Sequence, residues 1–239
     1  GNYTIALADK GLKCTGVDPS AKMLAEANSR NQQIHWLIGT AEHIPTDDMV
    51  FDGIIATLTI HHWTDLRQAF AELSRVIKDD GKIILFTSTP EQMKTYWLNH
   101  YFPKMLHSSI VQMPSLATIQ EVISQKGLVI THIEKYLIQD DLKDCFLYVG
   151  KNNPDRYFDP LIRNGISSFT SLANIEEVNH GLTQLKNDID SQLFEKVKNQ
   201  NVLREFDIDK IIETYQNRTV IDKYSNVATL EEVKANDYN

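Results

Sequence analysis

The apolar residues of this chain switch repeatedly between the spacing of a helix and that of a buried strand. Residues 2–10 (NYTIALADK) carry apolar positions at helical spacing, and Gly11 supplies a C-terminal stop. A short β-prone run follows at 13–17 (KCTGV) and ends at Asp18. Pro19 and Ser20 then open a helix over 21–29, with Met23, Leu24 and Ala27 on one face. Residues 34–38 (IHWLI) read as a second strand and 39–48 as a polar loop holding Pro45. Residues 51–58 (FDGIIATL) read as a third strand, and Ile54 and Ile55 suggest burial on both of its faces. The strongest helical pattern covers 65–78 (DLRQAFAELSRVIK). Leu66, Ala69, Phe70, Leu73, Val76 and Ile77 form its apolar stripe, Thr64 is the expected N-cap, and Asp79-Asp80-Gly81 is the expected stop. Residues 82–87 (KIILFT) then read as a buried strand.

Short buried strands alternating with amphipathic helices predict an α/β fold with a doubly wound, mainly parallel sheet. Residues 91–114 break the pattern. Tyr96, Trp97, His100, Tyr101, Phe102 and Met105 follow no clean period there, which predicts either a packed helical insertion or a lid over a substrate pocket. A capped helix at 115–126 closes at Gly127, and 128–137 (LVITHIEKYL) alternates like a half-exposed strand. Beyond Gly150 the chain reads as helical and polar, with a helix pair over 175–190 and neither repeats nor low-complexity linkers.

The chain has 239 residues, enough to bury a full core as one α/β domain with an extension or as two small domains. Its 32 acidic and 24 basic residues leave a net charge of −8, which argues against broad charge-driven binding to nucleic acid or anionic membrane. Cys14 and Cys145 are far apart and form no CxxC pair, so they are expected as reduced thiols of a cytoplasmic protein. The eight histidines show no HxxxH or Cys/His spacing, so no metal site is expected. No apolar run approaches the roughly 20 residues that span a bilayer, and no basic-then-apolar leader opens the chain.

In a doubly wound sheet, ligands bind outside the carboxyl ends of the strands. Three segments should meet there: Asp18, residues 39–45 and residues 57–63. A carboxylate at the position of Asp18 can accept from both hydroxyls of a ribose, but Asp before Pro-Ser also makes a good helix-opening turn.

An ordered set of motifs resembles the class I S-adenosylmethionine-dependent methyltransferases of the small-molecule type, similar to the group that includes trans-aconitate methyltransferase. The set comprises Gly1-Asn2-Tyr3-Thr4, Thr15-Gly16-Val17-Asp18-Pro19-Ser20 with Met23-Leu24, and Gly39-Thr40-Ala41-Glu42 with Ile44-Pro45. It continues in Phe51-Asp52, in Ile60-His61-His62-Trp63 and in residues 72–82 (ELSRVIKDDGK). The resemblance implies S-adenosyl-L-methionine as cofactor and a small-molecule acceptor methylated by direct displacement. It implies that Gly1 ends the loop around the methionine part and that Asp18 holds the ribose hydroxyls. Pro19 and Met23 would line the adenine, with Thr40, Ala41 and Glu42 at its edge; Thr40 stands where many relatives have Asp. Thr57 would meet the methionine amino group, and His61, His62 and Trp63 would border the methyl. His61 or His62 would serve as general base if the acceptor must lose a proton. Such relatives begin with a strand and a glycine-rich loop ahead of Gly1, so the resemblance implies that the first strand is missing here.

The resemblance covers about 1–150. Residues 151–197 look like a helical extension of the same group, in which Arg156, Tyr157 and Arg163 are candidate contacts to an anionic substrate. A final strand returning to the sheet is expected of such relatives, and no run rich in Tyr, Leu, Phe and Val marks one. Residues 198–239 instead resemble the C-terminal part of the modification subunit of type I restriction systems, through Asp209-Lys210-Ile211, Thr214-Tyr215, Asn217-Arg218 and Asp222-Lys223-Tyr224-Ser225. They read as a helical segment whose Ile208, Ile211 and Ile212 face packs on the core or on a protein partner. The catalytic Asn/Asp-Pro-Pro-Tyr/Phe motif of that second family does not occur in the chain. Two further readings stay open at this point: an inactive module that keeps the fold, and a component of a DNA adenine-modification complex. A nicotinamide dehydrogenase fits Asp18 but not Ala41-Glu42 or His61–Trp63.

Overall fold

The computed structural model describes residues 1–139, 142, 144–206 and 216–223, the last eight and 201–206 as backbone only. The first elements follow the sequence pattern closely: α1 (Asn2–Ala8), β1 (Thr15–Asp18), α2 (Ala21–Arg30), β2 (His35–Ile38) and β3 (Phe51–Thr57). Gly11 takes φ 89° just past α1, a left-handed conformation that suits glycine. Strands β1 and β2 pair in parallel, with Thr15 opposite His35 and Asp18 opposite Ile38.

Two boundaries differ from expectation at the next helix, α3 (Leu66–Val76). Its N-cap is Asp65 rather than Thr64: Asp65 Oδ1 accepts from the Arg67 and Gln68 amides at 2.9 and 3.0 Å. Its C-terminus is Val76, and Ile77 passes directly into β4 (Ile77–Thr87). Ile77, Ile83 and Leu85 are all essentially inaccessible, so a period of two wins over the expected Asp79-Asp80-Gly81 stop. The buried stripe of α3 is Ala69, Phe70, Leu73 and Val76, as its periodicity predicts.

The expected single sheet is divided. β1 and β2 form one sheet, while the second has the order β3-β4-β6-β5, with β5 at Leu128–Tyr136 and β6 at Gln216–Lys223. β1 and β3 do not pair; both contribute instead to one cavity, and Val17 and Ile55 stay 38% and 45% exposed beside it. β6 corrects the reading of 198–239 as wholly helical. The Thr219-Val220-Ile221 run has the β-branched character that a strand favours, and it supplies the returning strand that no aromatic-rich run announced. Helix α9 (Phe194–Phe206) covers the start of that segment. The Ile208, Ile211 and Ile212 face lies outside the described residues, as does most of the motif set beyond it.

The chain divides into two compact units. One comprises Gly1–Leu85, Ala117–His132 and the chain from Thr219; the other comprises Phe86–Leu116 and Ile133–Arg218. The division therefore runs elsewhere than after residue 150. The reason lies in residues 91–114, which form α4 (Pro90–Lys94), a 3-10 turn (Trp97–His100) and α5 (Pro103–Val111). Their Tyr96, Trp97, Leu98, Tyr101, Phe102 and Met105 share one core with Tyr148, Tyr157, Phe169 and Leu185 from the later chain. Exposed positions such as Glu91, Lys94, His100 and Lys104 do alternate with these buried ones, but across three short elements, so no single helical period runs through the segment. The first unit also holds α6 (Leu116–Ser124), and the second α7 (Pro160–Asn164) and α8 (Ile175–Asp190).

Within the second core a tyrosine network satisfies its own hydroxyls. Tyr157 donates to the Leu147 carbonyl and accepts from the Gly150 amide at 3.3 Å. With the Tyr157 proton so placed, Tyr96 donates to Tyr157 at 2.6 Å. Arg156 and Arg163 donate to the Leu142 and Tyr157 carbonyls. These two arginines and Tyr157, candidate contacts to an anion in the sequence, hold the unit's own backbone and core.

Candidate functional site

The end of β1 is built as a turn around Asp18. Its Oδ1 accepts from the Ser20 amide at 2.8 Å, and Ser20 Oγ accepts from the Met23 amide at 3.3 Å to cap α2. One carboxylate oxygen is therefore committed to the turn and Oδ2 is left for other donors. Two residues before it, Gly16 lies against the Trp36 indole, whose ring carbons would be 2.2 and 2.3 Å from any Cβ there. Trp36 is itself fixed by donation from Nε1 to the Asn31 carbonyl at 3.0 Å.

The polar loop after β2 folds back on itself at Thr40 and His43, which exchange amide–carbonyl bonds of 3.1 and 3.2 Å. Glu42 then reaches away to α3. Its Oε1 accepts from the Thr64 amide at 2.6 Å, the Thr64 hydroxyl at 3.1 Å and the Asp65 amide at 3.3 Å. Partial burial would raise the pKa of this carboxyl, but the hydrogen bonds from its own amide, Asp65, Thr64 and the Thr40 hydroxyl outweigh it and hold the pKa below the usual range.

At the end of β3, Leu58 sits at φ 51°, a left-handed conformation rare for a bulky residue. It turns the chain into the 3-10 turn Ile60–His62. The rings of His61 and His62 lie 4.0 Å apart, and Trp63 packs edge-on against Phe70 at 5.5 Å. Burial, reinforced by His62, pushes the His61 pKa down to about 4.

These three segments and the chain start enclose a cavity of about 530 Å³, within the roughly 300–1,000 Å³ typical of small-molecule sites. Gly1, Asp18, Pro19, Thr40, Ala41, Glu42, Thr57, His62 and Trp63 all line it. Two expected residues do not. Met23 lies on α2, 49% exposed, outside the lining, and His61 lies beneath His62. Glu42 contributes to the wall, but its carboxylate serves Thr64 and Asp65. Ile44 and Thr59, in segments expected to meet there but given no role of their own, also line it; sequence reasoning missed Leu73 and Val76 of α3 as lining residues. Among the described residues no group of three or more His, Cys, Asp and Glu is placed to hold a metal.

Residues 1–85 match the methyltransferase domain family. Over 142 residues the chain is 30% identical to an uncharacterized methyltransferase of Bacillus subtilis, YcgJ, covering 57% of this chain and 56% of that protein. A methyltransferase solved from an antibiotic biosynthesis pathway of Anabaena variabilis superposes with a TM-score of 0.73 at 29% identity, over 94% of this chain and 87% of that one. The likeness to methyltransferases rests on residues 1–85 for the family and on 142 residues for YcgJ. A demethylmenaquinone methyltransferase of Thermotoga maritima is 31% identical over 85 residues, 36% of this chain and 37% of that protein. The chain spans about half the length of YcgJ, 56%, and less of the Thermotoga protein. Residues 131–239 match a second family, N-6 DNA methylase. Among its described residues, that stretch contributes none to the cavity. Members of the methyltransferase domain family generally use S-adenosylmethionine, and no helix among the described residues is long and apolar enough to cross a membrane.

His61 gives the chain a defined acid response. Its native pKa of about 4 lies below the unfolded value of 6.5. As pH falls through that window the unfolded chain takes up a proton that the native chain refuses, so stability falls from pH 6.5 and levels off near 4. We expect His61→Gln to flatten this limb by about 2 kcal/mol, allowing for partial solvent access. Urea unfolding at pH 7 and pH 4.5 checks it; an equal acid loss in both proteins would show that other groups set the limb.

Proposed function

We propose that this chain transfers a methyl group from S-adenosyl-L-methionine to a small-molecule acceptor. The observation that carries the proposal is the cavity of about 530 Å³ in which Asp18, Thr40, Ala41, Thr57 and His62 converge from separate segments. The residues fit such a cofactor. Asp18 keeps one oxygen free of its own turn for the two ribose hydroxyls. Pro19 and Ile44 give apolar walls, the Ala41 amide and Thr40 offer polar groups to a base, and Gly1 and Thr57 border the methionine end. The cofactor supplies a methyl on a sulfonium whose thioether is a good leaving group. What remains for the protein is alignment and exclusion of water. His62 and Trp63 border the acceptor, where the His62 ring accepts a proton if the attacking atom carries one. His61, packed against His62 and neutral at pH 7, orients that ring.

The net charge of −8 favours a small acceptor over DNA, and the free thiols Cys14 and Cys145 favour the cytoplasm. The match of 131–239 to N-6 DNA methylase favours a second role, docking on a protein partner through residues beyond 198. Calorimetric titration with S-adenosylhomocysteine tests the main reading. Saturable binding that S-adenosylmethionine displaces is expected; no heat at millimolar ligand would overturn it. A pull-down of this chain and of its 1–197 form against candidate subunits tests the second role.

A further inference from the structure

The loop that carries Thr40, Ala41 and Ile44 into the cavity has little internal structure beyond the Thr40–His43 exchange, yet it is tied to α3 at two places. Near its start, Glu42 accepts three hydrogen bonds from Thr64 and Asp65. Near its end, the Arg75 guanidinium adds side-chain bonds to those that the Met49 and Val50 amides donate to the Arg75 and Val76 carbonyls at 2.9 Å. Arg75 Nη1 donates to the Thr46 carbonyl at 2.8 Å and to Asp48 at 2.8 Å. Nη2 donates to the Ile44 carbonyl at 2.9 Å and to Glu72 Oε2 at 2.8 Å, and Nε donates to Glu72 Oε1 at 3.0 Å. These contacts occupy all five donors that a guanidinium has. Glu72 returns the connection by accepting from the Ile44 amide at 3.1 Å. Neither Arg75 nor Glu72 lines the cavity.

We propose that Arg75, oriented in a fork by Glu72, is the positioning residue that sets the base-side wall of the ligand site. It acts through the 44–48 stretch, and the inference rests on the cavity being the cofactor site. Three loop groups (Ile44, Thr46 and Asp48) and the Glu72 carboxylate are met at once by one planar group. The compact ammonium of lysine has three donors on a flexible stem and cannot reproduce that fork, although it keeps the charge. The device therefore distinguishes geometry from charge.

The test compares the wild-type chain with Arg75→Lys, with Glu72→Gln, and with Arg67→Lys as a control. Arg67 lies on the exposed side of the same helix, paired with Glu121 at 3.5 Å. Amide hydrogen exchange at Thr40, His43, Ile44 and Thr46 reads the loop, and calorimetry with S-adenosylhomocysteine reads the site. In Arg75→Lys and Glu72→Gln we expect exchange at these amides to quicken at least about tenfold while β1 and α2 keep their protection. The dissociation constant should rise about tenfold, and the control should match the wild type. Unchanged exchange in both variants overturns the latch. A loosened loop with an unchanged dissociation constant overturns its positioning role, as does rescue of both readouts by lysine. Absence of binding by the wild type defeats the cofactor reading itself and with it the positioning of that ligand; the exchange comparison still decides whether Arg75 holds the loop. If Arg75→Lys does not fold, Glu72→Gln carries the test, because its amide carbonyl can still accept from Ile44.

Discussion

Asp18→Ala is expected to weaken S-adenosylhomocysteine binding about 30- to 100-fold while leaving the fold intact. The proposed reading gives the carboxylate two jobs. Oδ1 accepts from the Ser20 amide at 2.8 Å and shapes the turn between β1 and α2, and Oδ2 would meet the ligand. Two ribose hydroxyls meeting an ionised acceptor are worth about 2–3 kcal/mol over water, and 1.4 kcal/mol is a factor of ten. Loss of the turn bond costs stability of about 1 kcal/mol, because Ser20 still caps α2 through its own hydroxyl. Asp18→Asn separates the two jobs. Its amide oxygen keeps the turn and its NH2 cannot accept, so it should melt like the wild type yet bind about as poorly as alanine. Titration calorimetry and thermal melts of the three proteins decide it. Binding of the alanine variant within twofold of the wild type would remove Asp18 from the site.

Asp18 was legible in the sequence because its position depends on local order alone: a short strand, then Pro-Ser, then an amphipathic helix. The same holds for the stripe of α3, whereas 175–190, read as a helix pair, is the single helix α8. Periodicity records which side of an element is buried. It does not record what a polar side chain meets from elsewhere in the chain. The family resemblance put Glu42 at the adenine edge; it lines the cavity, and nothing local shows that its Oε1 also meets Thr64 and Asp65, 22 and 23 residues on. Glu72 and Arg75 stand three residues apart on α3, and nothing local shows that the guanidinium also holds Ile44, Thr46 and Asp48. Met23 shared a helical face with Leu24 and Ala27 in the pattern, but only those two are buried. β6 escaped notice for the opposite reason. Its strand character is confined to Thr219-Val220-Ile221, and flanking Asn, Arg, Asp and Lys residues gave it a polar look.

Gly181→Ala is expected to lower the melting temperature by about 4–8 °C, against the rule that alanine strengthens a helix. Gly181 stands inside α8, where alanine should add about 1 kcal/mol by propensity. The opposing effect is the approach of the chain at Tyr101 and Phe102. A Cβ on Gly181 would lie 2.4 Å from the Tyr101 carbonyl oxygen and 2.5 Å from the Phe102 ring. Neither can give way easily. The carbonyl is backbone, and Phe102 is fully buried with its ring edge-on to Phe169 at 5.1 Å. Three further hydrogen bonds hold α8 in place: Asp188 accepts from the Tyr101 hydroxyl at 3.0 Å, and Glu177 accepts from the Lys104 and Met105 amides at 2.7 and 3.2 Å. The helix cannot simply back away without breaking them. Overpacking of this kind costs about 3 kcal/mol at such distances, which exceeds the propensity gain by about 2 kcal/mol. For a chain of this length that difference corresponds to the stated fall. Thr183→Ala, on the exposed side of α8, is the control and should change the melting temperature by no more than a degree or two in either direction. A melting temperature raised by Gly181→Ala would show that α8 and the Tyr101 segment pack more loosely than these distances say. A fall confined to Gly181 would establish that the aromatic run at 96–106, without a period of its own, is organised by the helix that closes over it.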